Sequence, residues 1–264
     1  MTFAGSIQSI YPIMQQTPVD IGDATQYLQP SGMRVYLNTG STQPGPIPTE
    51  WPVLSDPSAR ACISIRPEPY SVAQGDLDSE LMAWLSQAPS GPPWLLGLWH
   101  EASTMNYPIQ PGNLRTAQSH IQALCQKYGY NVLVGAIENA TISASNATTW
   151  MARNLDFYTC DIYDDRTCDT VPSTQLDSFR SNCNALMDSG TANIGVTETN
   201  SRCPGRRPYW FWAVWSWLQT NGFTDDTSCF LTYWNDSGEE SGPWLTDDWA
   251  TFDTLYAIFE QSAP

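Results

Sequence analysis

The sequence predicts an α/β fold, a single (β/α)8 TIM barrel spanning residues 1–264, from three observations. Eight short β-rich runs recur along the chain, amphipathic stretches lie between most of them, and the length suits one barrel-sized domain.

The runs are roughly Phe3 to Ile10, Met33 to Leu37, Ala61 to Ile65, Trp94 to His100, Asn131 to Ile137, Phe157 to Tyr163, Asn193 to Glu198 and Cys229 to Trp234. Strands that alternate with helical stretches mark parallel βα units, not an all-β sandwich. The clearest helical stretches are Asp76 to Gln87, Leu114 to Tyr128, Ser173 to Ser189 and Asp247 to Glu260; the first and last begin with acidic caps. Gln43 to Pro57 and Asn146 to Arg153 are weaker, and Pro44, Pro46 and Pro48 make the former largely loop. Eight strands point to closure, with a doubly wound open sheet as the alternative. The aromatic run from Trp210 to Trp217 reads as a helix packed against the barrel; a sugar platform is its other reading.

Hydrophobic residues form 41% of the chain and aromatics are spread along it, which is material for a core and excludes disorder. The 27 acidic residues outweigh 11 basic ones, Lys127 being the single lysine. That balance disfavours nucleic acid and anionic membranes as partners, since both attract basic surfaces. Neutral polysaccharides are unaffected by it, and solubility alone explains it equally well. The seven cysteines include no CxxC pair, so an oxidising destination is favoured over zinc or redox chemistry. Cys160 and Cys168 bracket a short polar loop and are the first choice for a disulfide, with Cys183, Cys203 and Cys229 as further candidates. Cys62 and Cys125 lie in apolar segments and read as core thiols. The start of the chain has no secretory-signal pattern, and no stretch is long and apolar enough for membrane insertion. A mature form or another export route, for example as part of a phage particle, follows: an extracellular or virion-associated monomer is expected.

In a barrel of this type the site lies at the C-terminal ends of the strands, so polar residues that end apolar runs are the candidates. Trp-Leu-Leu-Gly-Leu-Trp-His-Glu ends the fourth run with His100 and Glu101, and Asn-Ile-Gly-Val-Thr-Glu ends the seventh with Glu198. The interval between the glutamates corresponds to about three βα units, which places them across one mouth. Two carboxyl groups brought to about 5–5.5 Å can run a double displacement at an anomeric carbon. Asp161 and Tyr163 share one face of the sixth run. Arg66 follows the third run and is placed to bind a hydroxyl, to tune a carboxylate or to form a structural ion pair. Glu138 and Asn38 end the fifth and second runs and are secondary candidates for substrate binding.

This arrangement resembles clan A of the retaining glycoside hydrolases. The His100-Glu101 pair, where the clan usually has Asn-Glu, is most similar to glycoside hydrolase family 26, which includes β-mannanases and related endo-β-glycanases. The resemblance implies that Glu101 is the acid/base, Glu198 the nucleophile, and His100 a neighbour that binds sugar or orients a carboxylate. It further implies that Tyr163 hydrogen-bonds the nucleophile and that Trp234 is the platform aromatic, core packing being the alternative for Trp234. After His-Glu the family continues through Met, Asn and Gly to a Trp-rich stretch, whereas this chain continues Ala102-Ser-Thr-Met-Asn106-Tyr-Pro.

Other chemistries lack their motifs. There is no HExxH, GxSxG, GxGxxG or P-loop sequence, and His120 falls in a helical stretch as a solvated side chain. The resulting expectation is a retaining endo-β-glycoside hydrolase of mannan-like, glucan-like or bacterial envelope polysaccharide. No metal and no organic cofactor is needed, because the carboxylates supply both proton and nucleophile. The rival is a non-catalytic carbohydrate-binding or phage-virion attachment module on the same scaffold.

Overall fold

The computed structural model describes residues 4–9, 32–37, 43–52, 60–164, 168–221 and 230–233, with Thr254 and Ala257. Its strands are β1 (Ala4–Ser9), β2 (Gly32–Tyr36), β3 (Arg60–Ile65), β4 (Trp94–Leu98), β5 (Val132–Asn139), β6 (Phe157–Asp164), β7 (Ile194–Ser201) and β8 (Phe230–Tyr233). All pair in parallel and in chain order, and β1 also pairs with β8. The helices are α1 (Pro69–Gln74), α2 (Asp78–Leu85), α3 (Pro111–Tyr128), α4 (Ala144–Trp150), α5 (Pro172–Asn184) and α6 (Arg207–Asn221). The result is a curled parallel sheet whose strands alternate with helices, as in a (β/α) barrel.

Side-chain alternation along the strands sorts two layers. Cys62, Leu95, Ile137 and Phe157, from four consecutive strands, pack together on the concave side. Gly97 and Gly135 make this possible, because a Cβ at either would collide with Ile137 or with the Phe157 ring. The opposite faces pack on the helices: Tyr158, Cys160, Ile162 and Val196 join Leu176, Phe179, Trp210 and Val214. The aromatic run is α6, which buries Trp210, Phe211, Trp215 and Trp217 in that layer. It serves as packing, not as an exposed platform.

Several expected boundaries shift for local reasons. The stretch from Asp76 holds α2 alone, and a further short helix, α1, precedes it; Gly75, at φ 81°, closes α1 in the left-handed region and separates the two. Glu68 caps α1 through the Tyr70 N–H, whereas α2 has no side-chain cap and carries Asp78 and Glu80 in its first turn. Asn146 to Arg153 overlaps a helix, α4, which begins two residues earlier and is capped by the Ser143 hydroxyl. Residues 43–52 are non-helical. The stretch from Asp247 to Glu260 lies outside the described residues except Thr254 and Ala257, both helical.

The disulfide differs from the expected pairing. Cys168 bonds Cys203, joining the segments that follow β6 and β7. Cys160 cannot reach that partner, because it faces the helix layer, where it is buried as a thiol with Cys183. Cys62 and Cys125 are buried thiols, as their apolar segments imply. Cys229 lies outside the described residues.

Candidate active site

β4 stops at Leu98, two residues short of His100, because the backbone turns. Trp99 and Glu101 both adopt left-handed conformations, φ 52° and φ 51°, a strain of about 1–2 kcal/mol per residue for a side chain with a Cβ. The turn is held from both flanks: Trp99 N–H donates to the Ile65 carbonyl (3.0 Å) and Glu101 N–H to that of Ile137 (2.8 Å). Glu101 then accepts a hydrogen bond from Asn139 Nδ2 at 3.1 Å, across the ends of β4 and β5. Burial pushes the Glu101 carboxyl above its ordinary value, against the Asn139 bond and the Arg34 charge, which pull it down.

At β6 and β7 the register carries the site onward. Asn139 pairs with Asp161, and Asp161 with Glu198. Glu198 is 5% exposed, and the Tyr163 hydroxyl donates to its Oε2. A bulge lies at this point: Cys160 pairs with Val196 but Asp161 with Glu198, so Thr197 is an additional residue in β7. Val196 packs in the helix layer and Thr199 accepts from Trp210 Nε1 of α6 (2.7 Å), so both face outward. Thr197 and Glu198 between them both face inward. Strict alternation after Thr197 would have turned Glu198 toward the helices.

Beneath these carboxyl groups lies Asp161, fully buried, its Oδ1 accepting from Thr197 Oγ1 at 2.8 Å. Burial raises its carboxyl well above the usual range, and the Glu101 charge adds to the effect. On the other side Arg34, also fully buried, donates to Ser64 Oγ (2.8 Å) and lies 4.2 Å from the Tyr36 ring centroid. The Tyr36 ring meets His100 edge-on at 4.8 Å. Arg66 NH2 approaches His100 Nε2 at 3.4 Å. A guanidinium only donates, so Nε2 is the acceptor and the ring proton resides on Nδ1. Burial, with Arg34 and Arg66, holds His100 well below its ordinary value and hence neutral. Arg66 is itself stacked 4.8 Å from the Tyr107 ring centroid.

The structure thus gathers Glu101, His100, Arg66, Asp161, Tyr163 and Glu198 at the C-terminal ends of β3, β4, β6 and β7. Glu138 is placed differently, since it follows the inward-facing Ile137 and points behind the sheet. There its carboxyl group accepts from the Ser103 N–H (3.2 Å) and hydroxyl (2.7 Å), supporting the turn that carries Glu101. Burial lifts it to about 8. Trp234 and Asn38 lie outside the described residues. Sequence reasoning passed over Arg34, Tyr36, Asn139 and Thr197. Arg34 had a legible signal, a charge inside an apolar run; Asn139 had none, because β5 extends two residues beyond its expected end.

His120 pairs with Asp78 across α3 and α2 at 2.6 Å, away from the site. Among the described residues no group of three or more His, Cys, Asp or Glu is arranged to hold a metal ion. Nor is any helix among them long and apolar enough to cross a membrane.

No family model and no curated protein matches the chain. Solved structures do. A Gas2 structure (ScGas2 in complex with a compound) is similar over 100% of this chain and 65% of its own, at 14% identity and a TM-score of 0.55. Gas2p of Saccharomyces cerevisiae in complex with laminaritriose and laminaritetraose is similar over 100% and 65%, at 13% identity and a TM-score of 0.51. A glucosidase from Croceicoccus marinus gives 98% and 68%, at 11% identity and 0.62. XEG5A, a xyloglucan-specific endo-β-1,4-glucanase from a metagenomic library in complex with cellotriose, gives 91% and 87%, at 11% and 0.54. The chain spans just under two thirds of the length of the Gas2 structures. At these identities the likeness is one of fold.

Proposed function

We propose that residues 1–264 form a single (β/α)8 catalytic domain, a clan A retaining glycoside hydrolase that cleaves a β-linked polysaccharide internally. The ring order of the eight strands supports the domain. The observation that carries the function is the pair of glutamates on facing strand ends in contrasting surroundings. Glu101 is raised by burial, and Glu198 accepts the Tyr163 hydroxyl.

In this reading Glu101, protonated, donates to the glycosidic oxygen as the bond breaks, while the Glu198 carboxylate attacks the anomeric carbon from the opposite face. Water, deprotonated by Glu101, then hydrolyses the glycosyl ester with a second inversion, so configuration is retained. Tyr163 positions the nucleophile, and Asn139 the acid/base. Neutral His100, with Nδ1–H, and Arg66 form a donor-rich wall suited to sugar hydroxyls. Fold likeness to structures whose names specify a glucosidase, a xyloglucan-specific endoglucanase and a complex with laminari-oligosaccharides supports a glucan-like or related substrate. The His-Glu pair favours the family 26 pattern, with mannan-like or bacterial envelope glycan as further substrates. The Cys168–Cys203 bond supports an extracellular or virion-associated location.

The test is digestion of defined β-glucans, β-mannans and peptidoglycan with reducing-end detection. The wild type should release oligosaccharides from at least one, and Glu198→Gln none. Cleavage undiminished in Glu198→Gln, or none by the wild type, refutes the reading, and binding without cleavage selects the attachment-module rival.

A further inference from the structure

Glu198 faces the interior only because β7 carries an extra residue, and the structure holds that residue in a specific way. Thr197 Oγ1 lies 2.8 Å from Asp161 Oδ1 and 3.2 Å from Thr159 Oγ1, both on the inward face of β6. All three side chains are fully buried. The Asp161 Oδ2 atom is buried without a hydrogen-bond partner among the described residues. A bulge has two ways to relax: Thr197 can rejoin the ladder, which rotates Glu198 toward α6, or the strand can shift by one residue and do the same. The Thr197–Asp161 bond opposes both.

We propose that Thr197 and Asp161 are positioning residues, a hydrogen-bonded lock on the β7 bulge that keeps Glu198 turned inward against Tyr163. The lock acts through the bond, not through an Asp161 charge. Thr197 donates its hydroxyl proton to Oδ1, and any side chain with an acceptor oxygen at that point serves. This accounts for a buried acid that has no salt bridge among the described residues, the Arg34 guanidinium making its hydrogen bonds to Ser64 and the Cys62 carbonyl. It also explains why the additional residue is a threonine: a hydroxyl is needed on Cβ, and β-branching suits a strand.

The inference rests on the catalytic assignment of Glu198 for its consequence, but not for its test. The full chain is prepared with 13C-labelled glutamate carboxyls, the Glu198 resonance being assigned by its loss in Glu198→Gln. Tyr163→Phe supplies the resonance position of a Glu198 that has lost its tyrosine partner. Thr197→Val and Asp161→Ala should move the signal to that position, whereas Thr197→Ser and Asp161→Asn, which preserve donor and acceptor, should leave it at the wild-type position. On a glycan that the wild type cleaves, the first two should lose about 10-fold or more in kcat, with KM within about twofold. A wild-type resonance in Thr197→Val overturns the lock. So does an equal displacement in Asp161→Asn and Asp161→Ala, which would make the charge responsible. If Thr197→Val does not fold, the two Asp161 variants carry the same comparison. Failure of the hydrolase reading is seen separately, as unchanged glycan cleavage in Glu198→Gln or none by the wild type.

Discussion

The Tyr163 hydroxyl donates to Glu198 Oε2, tying the end of β6 to the middle of β7 at the point where the bulge turns Glu198 inward. A hydrogen bond to a charged group contributes about 1.5–3 kcal/mol. Tyr163→Phe should therefore lower kcat/KM by about 10- to 100-fold without lowering the melting temperature by more than a few degrees. Steady-state kinetics beside thermal melts checks this; full activity in the variant would remove Tyr163 from the account.

In the proposed reaction the Asn139–Glu101 bond sets the pH range of the proton donor. Asn139 Nδ2 favours the charged carboxylate and so pulls Glu101 down against the upward push of burial. Removing it in Asn139→Ala raises Glu101 further. The acid/base must be protonated when the bond breaks, so the alkaline limb of kcat/KM should move to higher pH. A shift to lower pH would show that the carboxylate form is the active one.

Glu138 gives a stability prediction of definite sign. Its folded value of about 8 lies above the ordinary 4.5, so between those values the native state retains a proton that the unfolded chain has released. Stability is present below about 4.5 and falls as pH rises toward 8, by at most about 1.4 kcal/mol per pH unit. Asp161 and Glu101, also raised, contribute in the same direction. Glu138→Gln retains an acceptor for Ser103 and should flatten part of this slope. Urea melts at several pH values read it, and an unchanged slope would mean that Glu138 is charged in the folded protein.

Much of this arrangement is legible in the sequence, and the exceptions have physical causes. Trp94 to His100 and Asn193 to Glu198 announce themselves as apolar runs ending in polar residues, and Glu101 and Glu198 stand at those ends. Local pattern cannot reveal the left-handed turn at Trp99 and Glu101, because neither residue type favours it; backbone bonds to β3 and β5 impose it. Nor does period-two alternation disclose the bulge at Thr197, which depends on a neighbouring strand. The disulfide was misplaced because proximity in sequence favours Cys160, whereas strand alternation turns its side chain into the helix layer. Glu138 follows the expected fifth run but lies within β5, which continues to Asn139, and the same alternation points it behind the sheet.

The Cys168–Cys203 bond closes a separation of 35 residues that includes α5 and β7. Replacing both cysteines with serine should cost roughly 2–4 kcal/mol of stability. Reductant should reproduce that loss in the wild type and leave the double variant unchanged. The four described thiols, Cys62, Cys125, Cys160 and Cys183, are buried and should react with thiol reagents only after unfolding.

The central claim is that Glu198 attacks the anomeric carbon directly while Glu101 protonates the leaving oxygen, and the product records that event. Proton NMR of a fresh digest of a β-linked polysaccharide that yields products in the reducing-end assay, followed before mutarotation, reads the first-formed anomer. The β-anomer should appear first, from two inversions through a glycosyl ester on Glu198. First appearance of the α-anomer would contradict it, making the reaction a single inversion and reducing Glu198 to a base for water.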